Sequence, residues 1–159
     1  MFLSLLKMLQ QLMSNAAHIA DPHYQQHQTL TTPQRSINRN APLESYQPAT
    51  LLEMFKTVDI MAQHSNTLGV LVSNHLINDA RSESLCAPVL AAVVRDVKRY
   101  MRLKRDLTGQ RVLPLGYGAA SAGERDKRVL EYLSSQDEDS RIDFWAVRRC
   151  LGKNLVLRC

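Results

Sequence analysis

Polar groups follow an apolar run directly at Val72-Ser73-Asn74-His75. A histidine beside an asparagine at the end of a buried strand has the chemistry of a general acid or base, because an unperturbed imidazole titrates near about 6.5. The same histidine can equally be a simple hydrogen-bonding residue, and its chemistry alone leaves both readings open. Ser73, His75 and Asp79 have the residue types of a nucleophilic triad. Ser73 and His75 are expected to point the same way on a strand, however, and no Gly-x-Ser-x-Gly elbow is present, so the triad is set aside. The nearest acids, Asp79 and Glu83, are expected in a loop, and no pair of acids shares one strand end. His23 and His27, four residues apart, would share a helix face as metal ligands. With no third ligand nearby and Pro22 just before them, neither a metal nor a cofactor is expected.

These groups need elements to position them. Thr50 and Glu53 have the spacing of a capping box ahead of Leu51, Met54, Phe55, Val58, Met61 and Ala62, which predicts an amphipathic helix. Residues 67–72 are apolar without interruption and suit a strand buried on both faces. Pro88 is expected at the first turn of a second helix through Leu90, Val93, Val94, Val97 and Met101, which Gly109 ends. Residues 111–115 read as a strand, 116–123 as a small-residue loop, 124–133 as a helix and 142–147 as a strand. Helix and strand therefore alternate, the pattern of parallel strands joined by right-handed crossovers. Such an α/β fold places its chemistry at the carboxyl ends of its strands.

Composition excludes little. The chain has 159 residues, long enough for one domain. Its 20 Lys and Arg against 15 Asp and Glu leave a net charge of +5. The basic residues lie opposite apolar positions of the expected helices, as solvated faces do, so no nucleic-acid partner is expected. Cys86, Cys150 and Cys159 form no Cys-x-x-Cys pair and do not identify a redox compartment. Residues 1–13 have the pattern of an amphipathic helix more than of a signal peptide, although residues 16–20 offer a weak small-residue cleavage pattern. Residues 18–30 read as a polar loop.

The run Ser65 to Asn78 resembles a segment of the fungal 1,3-β-glucanosyltransferases of glycoside hydrolase family 72, in which a buried strand ends in Asn-Glu followed by an apolar pair and Asn. Thr31 to Arg39 is similar to the family's substrate-lining loop after the third barrel strand. Ala92 to Tyr100, Leu113 to Tyr117 and Ser140 to Trp145 also match, in order. The resemblance implies a partial (β/α)8 TIM barrel, roughly its third to sixth strands, over residues 29–146. Residues 1–28 would be a divergent helix and linker, and residues 147–159 a divergent tail.

The resemblance further implies cleavage of a β-1,3-glucan and its transfer with retention, chemistry that needs two carboxyls about 5–5.5 Å apart. The acid/base glutamate falls on His75, and the neighbour that helps hold the donor sugar is Asn74. The nucleophile would belong to a seventh strand, which this chain is expected to end before, as a truncated or mis-joined reading of a longer gene. Carried across, the glucan-facing candidates are Thr31, Thr32, Gln34, Ser36, Asn38, Arg39, Asn74, Tyr117 and Arg125. The expected partner is a β-1,3-glucan oligosaccharide, with self-association through exposed sheet edges. The family implies the cell surface, through a GPI anchor. A non-catalytic glucan-binding relative and a basic interaction protein are the alternatives.

Overall fold

The computed structural model describes residues 29–33, 36–119, 123–148 and, for the backbone, 155–158. The helix expected over residues 1–13, the cleavage pattern, His23, His27, Gln34, Cys150 and Cys159 lie outside the described residues.

Five strands form one sheet in chain order: β1 (Thr29–Thr31), β2 (Thr67–Asn74), β3 (Leu115–Ala119), β4 (Phe144–Arg148) and β5 (Leu155–Arg158). The first four pair in parallel, and β5 pairs antiparallel with β4. Between them lie α1 (Pro42–Ser45), α2 (Pro48–Met61), α3 (Ala80–Thr108) and α4 (Glu124–Ser134). Consecutive parallel strands separated by helices are the α/β arrangement the sequence predicts.

The sheet's two faces differ. Val70, Val72, Leu115, Tyr117 and Trp145 face the helices and join Met54, Val58, Leu90, Val93, Val94, Val97, Val129 and Leu133 in the main core. The opposite, inner face carries a small cluster of Leu71, Phe144 and Ala146, with Leu30 against it. There the Phe144 ring lies across β2 and β3. A Cβ on Gly69 would come within 2.7 Å of this ring, and one on Gly116 within 2.4 Å. Gly116 and Gly118 lack side chains where the Phe144 ring and Asn74 occupy the space beside them. The expected loop over residues 116–123 therefore begins as a central strand. The strand expected over residues 111–115 starts only at Leu115: Pro114 just before it has no N–H to give to the ladder, and the Arg111 guanidinium caps the carbonyls of His64 and Thr67 at 2.9 and 3.2 Å.

Helix starts also differ from expectation. α2 begins at Pro48 after Gln47, without a side-chain cap, and Thr50 is buried rather than capping. α3 begins eight residues before Pro88, where the Asp79 carboxylate accepts from the Ser82 N–H at 2.7 Å in a capping box. Pro88 lies inside the helix, and Gly109, with φ of 73°, ends it as expected. Thr29 and Leu30, read as part of a loop, belong to β1.

Asp143 ties three elements together. Its carboxylate accepts from the Leu115 N–H at 2.8 Å and from Lys98 Nζ at 2.7 Å, and its own N–H donates to the Leu115 carbonyl at 2.7 Å. Much of the basic surface of α3 is matched by carboxylates. Arg95 pairs with Asp96, Arg99 and Arg102 with Asp139, Lys104 with Asp59 and Arg105 with Asp106. Exposed pairs of this kind contribute about 0–1 kcal/mol each, so the core and the sheet carry the stability.

Gly116→Ala is expected to cost about 1–3 kcal/mol by forcing Phe144 off its position. Urea unfolding checks this, and Gly116→Ala combined with Phe144→Leu should lose less than the two single changes summed.

Candidate functional site

The site begins with an irregularity in β2. Up to Leu71, residues alternate normally: Gly69 and Leu71 face inward and Val70 faces the helices. Leu71 is opposite Gly116, but Ser73 is opposite Tyr117 and Asn74 opposite Gly118, so two residues of β2 span one of β3. This bulge exchanges the faces of all that follows. Asn74 now shares the inner face with Gly118, where its Oδ1 lies so near that a Cβ on Gly118 would approach it to 2.4 Å. Asn74 is exposed at the carboxyl end of the strand.

His75 leaves the strand in a left-handed conformation with φ of 53°. Histidine visits this region more readily than most residues, though less readily than glycine. Its N–H donates to the Gly118 carbonyl at 2.8 Å. Ser73 is the last buried residue of β2, and His75 lies past the strand's end, half-buried. The Asp79 carboxylate is spent capping α3. The hydrogen bonds from Ser82 also hold the Asp79 carboxyl below its ordinary pKa.

Arg39 fixes the turn from the other side. Its Nη2 donates to the His75 carbonyl at 2.6 Å and its Nε to the Leu76 carbonyl at 2.5 Å. The guanidinium that the resemblance suggested as glucan-facing thus holds two consecutive backbone carbonyls, a fork geometry that lysine cannot copy. Beneath it, the buried Cys86 thiol donates to the Arg39 carbonyl at 3.8 Å.

Tyr117 is likewise corrected. It points to the helix side, fully buried, with its ring 5.2 Å from that of Trp145. Its hydroxyl accepts from the Ile77 N–H at 2.9 Å, supporting the segment after His75 from below. Burial above all, aided by Asp126, pushes this phenol up to about 12.

The remaining candidates scatter. Thr31 is half-buried in β1 opposite Val70, while Thr32 and Ser36 are exposed. Asn38 is exposed, and its carboxamide oxygen accepts from the Asn40 N–H at 3.0 Å within its own turn. Arg125, exposed on α4, donates to the Asn78 carbonyl at 2.6 Å. The structure therefore brings together Asn74, His75 and the Arg39 clamp. It adds Gly118, whose signal in the sequence is a Gly-Tyr-Gly alternation that reads as a loop. Among the described residues no group of acidic, histidine or cysteine side chains could hold a metal ion, and no helix is long and apolar enough to cross a membrane.

Four parallel strands alternating with helices, with Asn74 and His75 at the carboxyl end of β2, form a section of a TIM-barrel fold. The family model described as glucanosyltransferase, glycoside hydrolase family 72, matches residues 24–150, and the chain belongs to that family. It is 38% identical over 117 residues to 1,3-beta-glucanosyltransferase gel1 of Aspergillus fumigatus, covering 74% of this chain and 25% of that protein. It is 37% identical over 119 residues to 1,3-beta-glucanosyltransferase PGA4 of Candida albicans, again 74% of this chain and 25% of the relative. The structure of Saccharomyces cerevisiae Gas2p in complex with laminaripentaose superposes with a TM-score of 0.63 at 25% identity, covering 74% of this chain and 26% of that one. The chain thus spans about a quarter of the length of these relatives.

Tyr117→Phe is expected to cost about 1–3 kcal/mol, because the Ile77 N–H loses its acceptor in a buried place. The raised phenol pKa also has a sign. The protonated form belongs to the fold, so its contribution is complete below about pH 10, the unfolded value, and is lost as pH rises toward about 12. Thermal melts across that window should show a decline that Tyr117→Phe reduces.

Proposed function

We propose that this chain is a section of a 1,3-β-glucanosyltransferase barrel that contacts a β-1,3-glucan oligosaccharide through Asn74 and does not perform the acid/base step of transfer. One observation carries the reading: the residue after Asn74, at the open end of β2, is His75. In the family to which the chain belongs, a glutamate at this position is what retention requires of the acid/base partner. An imidazole passes between +1 and 0 where a carboxyl passes between 0 and −1; a neighbouring carboxylate raises the pKa of both, but it would hold the imidazole as a paired cation where it keeps a carboxyl a neutral acid. Asp79 does not substitute, since capping holds it.

Asn74 remains exposed and faces inward, free to donate to a sugar hydroxyl. Its carboxamide oxygen lies over Gly118, where a side chain would collide with it. Gel1 and PGA4 are named for β-1,3-glucan transfer, and Gas2p is seen with laminaripentaose. These facts support the substrate class. The cell surface is the corresponding place of action.

β1 and β5 end the sheet, each with one side unpaired among the described residues. Self-association through these edges belongs to the same reading. Size-exclusion chromatography should show species larger than the monomer, and a sharp monomer peak with a cooperative melt would remove this part.

The transfer test compares the chain and His75→Glu after incubation with reduced laminari-oligosaccharides, reading products by mass spectrometry. The unaltered chain is expected to make no longer glucans. Lengthened products from it would overturn the reading. Lengthening only in His75→Glu would show that this one position blocks the reaction.

A further inference from the structure

A recess lies away from the strand ends, on the outer surface between the first turns of α3 and the middle of α4. It has a volume of about 410 Å³, within the roughly 300–1,000 Å³ of small-ligand sites. Ala87 and Val129, both buried, lie in its lining beside the exposed ring of Pro88. Tyr132, 39% exposed, borders it with an aromatic ring.

The polar groups here are of both kinds. Arg128 grips Glu83 with Nε and Nη2 at 2.8 and 2.9 Å, which leaves the Nη1 donors outside that pair. The carboxylate and guanidinium cancel each other's charge, so the recess favours neither an anion nor a cation. Pro88 supplies an acceptor. It has no N–H to give to the Ser84 carbonyl one turn earlier, and that carbonyl lacks its usual helical donor. Ser84 and Pro88 both line the recess.

We propose that this recess is a surface subsite for a neutral hexopyranose chain, separate from the Asn74 end of β2. A sugar ring presents a flat set of C–H groups on one face and hydroxyls around its edge. The Tyr132 ring and the apolar lining suit the face, as amphipathic aromatic side chains do at binding surfaces. The Arg128 donors and the Ser84 carbonyl suit the edge, since a hydroxyl both accepts and donates. The recess opens near the rim that carries His75, because α3 and α4 both begin beyond the carboxyl ends of their preceding strands. Asn78, which accepts from Arg125, joins the two regions in sequence. The choice of glucan as the hexopyranose rests on the preceding functional reading, while the recess itself does not.

The test follows backbone amide shifts of the 15N-labelled chain during titration with laminaritriose. Saturable shifts are expected at Ser84, Leu85 and residues 129–133. Tyr132→Phe should bind within two-fold of the parent, and Tyr132→Ala should weaken the recess at least ten-fold with an unchanged circular dichroism spectrum. Asn74→Ala should remove shifts around Asn74 and Gly118 and leave those at the recess. Recess shifts that are absent, that persist unchanged in Tyr132→Ala, or that vanish with Asn74→Ala overturn the subsite. Recess shifts without any at Asn74 would sink the reading of Asn74 alone.

Discussion

The mouth of this sheet depends on a single slip of register. Because two residues of β2 span Tyr117, Asn74 is delivered to the inner face, where a regular strand would have turned it toward the helices. An asparagine turned outward would be lost among Val72, Leu90 and Tyr117 in the core. The slip also leaves the next residue beyond the end of the strand, free to take a left-handed turn. Arg39 then grips the carbonyls of His75 and Leu76, and Tyr117 meets the N–H of Ile77, so three consecutive residues are tied from two sides. Side-chain chemistry at this point rests on a rigid backbone.

This arrangement divides the residues at the strand end into one that lies open on the inner face and those that hold the backbone beside it. Arg39 and Tyr117 resemble binding residues by type, yet each is used up on the backbone of residues 75–77. Their burial or pairing is what makes Asn74 available. The bulge and the clamp are built with histidine at position 75. The scaffold of the position and its reactivity are therefore separable: one is made of backbone hydrogen bonds, the other of one side chain.

How far this was legible in the sequence follows from the range of each interaction. The apolar run of β2, the spacing of Leu90, Val93, Val94, Val97 and Met101, and the Gly109 stop are local patterns, and they led to the observed elements. The motifs from Ser65 onward led to the family. The start of α3 was missed because Asp79 and Ser82 form a capping box in a stretch that looks like loop, while Pro88 looked like a beginning. β3 was placed four residues too early because its glycines answer to Phe144, nearly thirty residues away, and to the Asn74 carboxamide across the sheet. The bulge has no local mark at all. It arises from the pairing of two strands, and only pairing reveals that Asn74 reaches the inner face.

The glycines of β3 have one more consequence, for the route by which the sheet is assembled. This strand occupies the middle of the order, yet Gly116 and Gly118 give it little preference of its own for an extended backbone. Its neighbours are reached only through α3 on one side and α4 on the other, so every contact that holds it is distant along the chain. The physical expectation is that β2 and α3 settle first and that β3 becomes ordered only when Phe144 arrives to cover it. Closing long loops before any reward appears is slow. The centre of the sheet, its most buried part once formed, is by this reasoning the last part to exist.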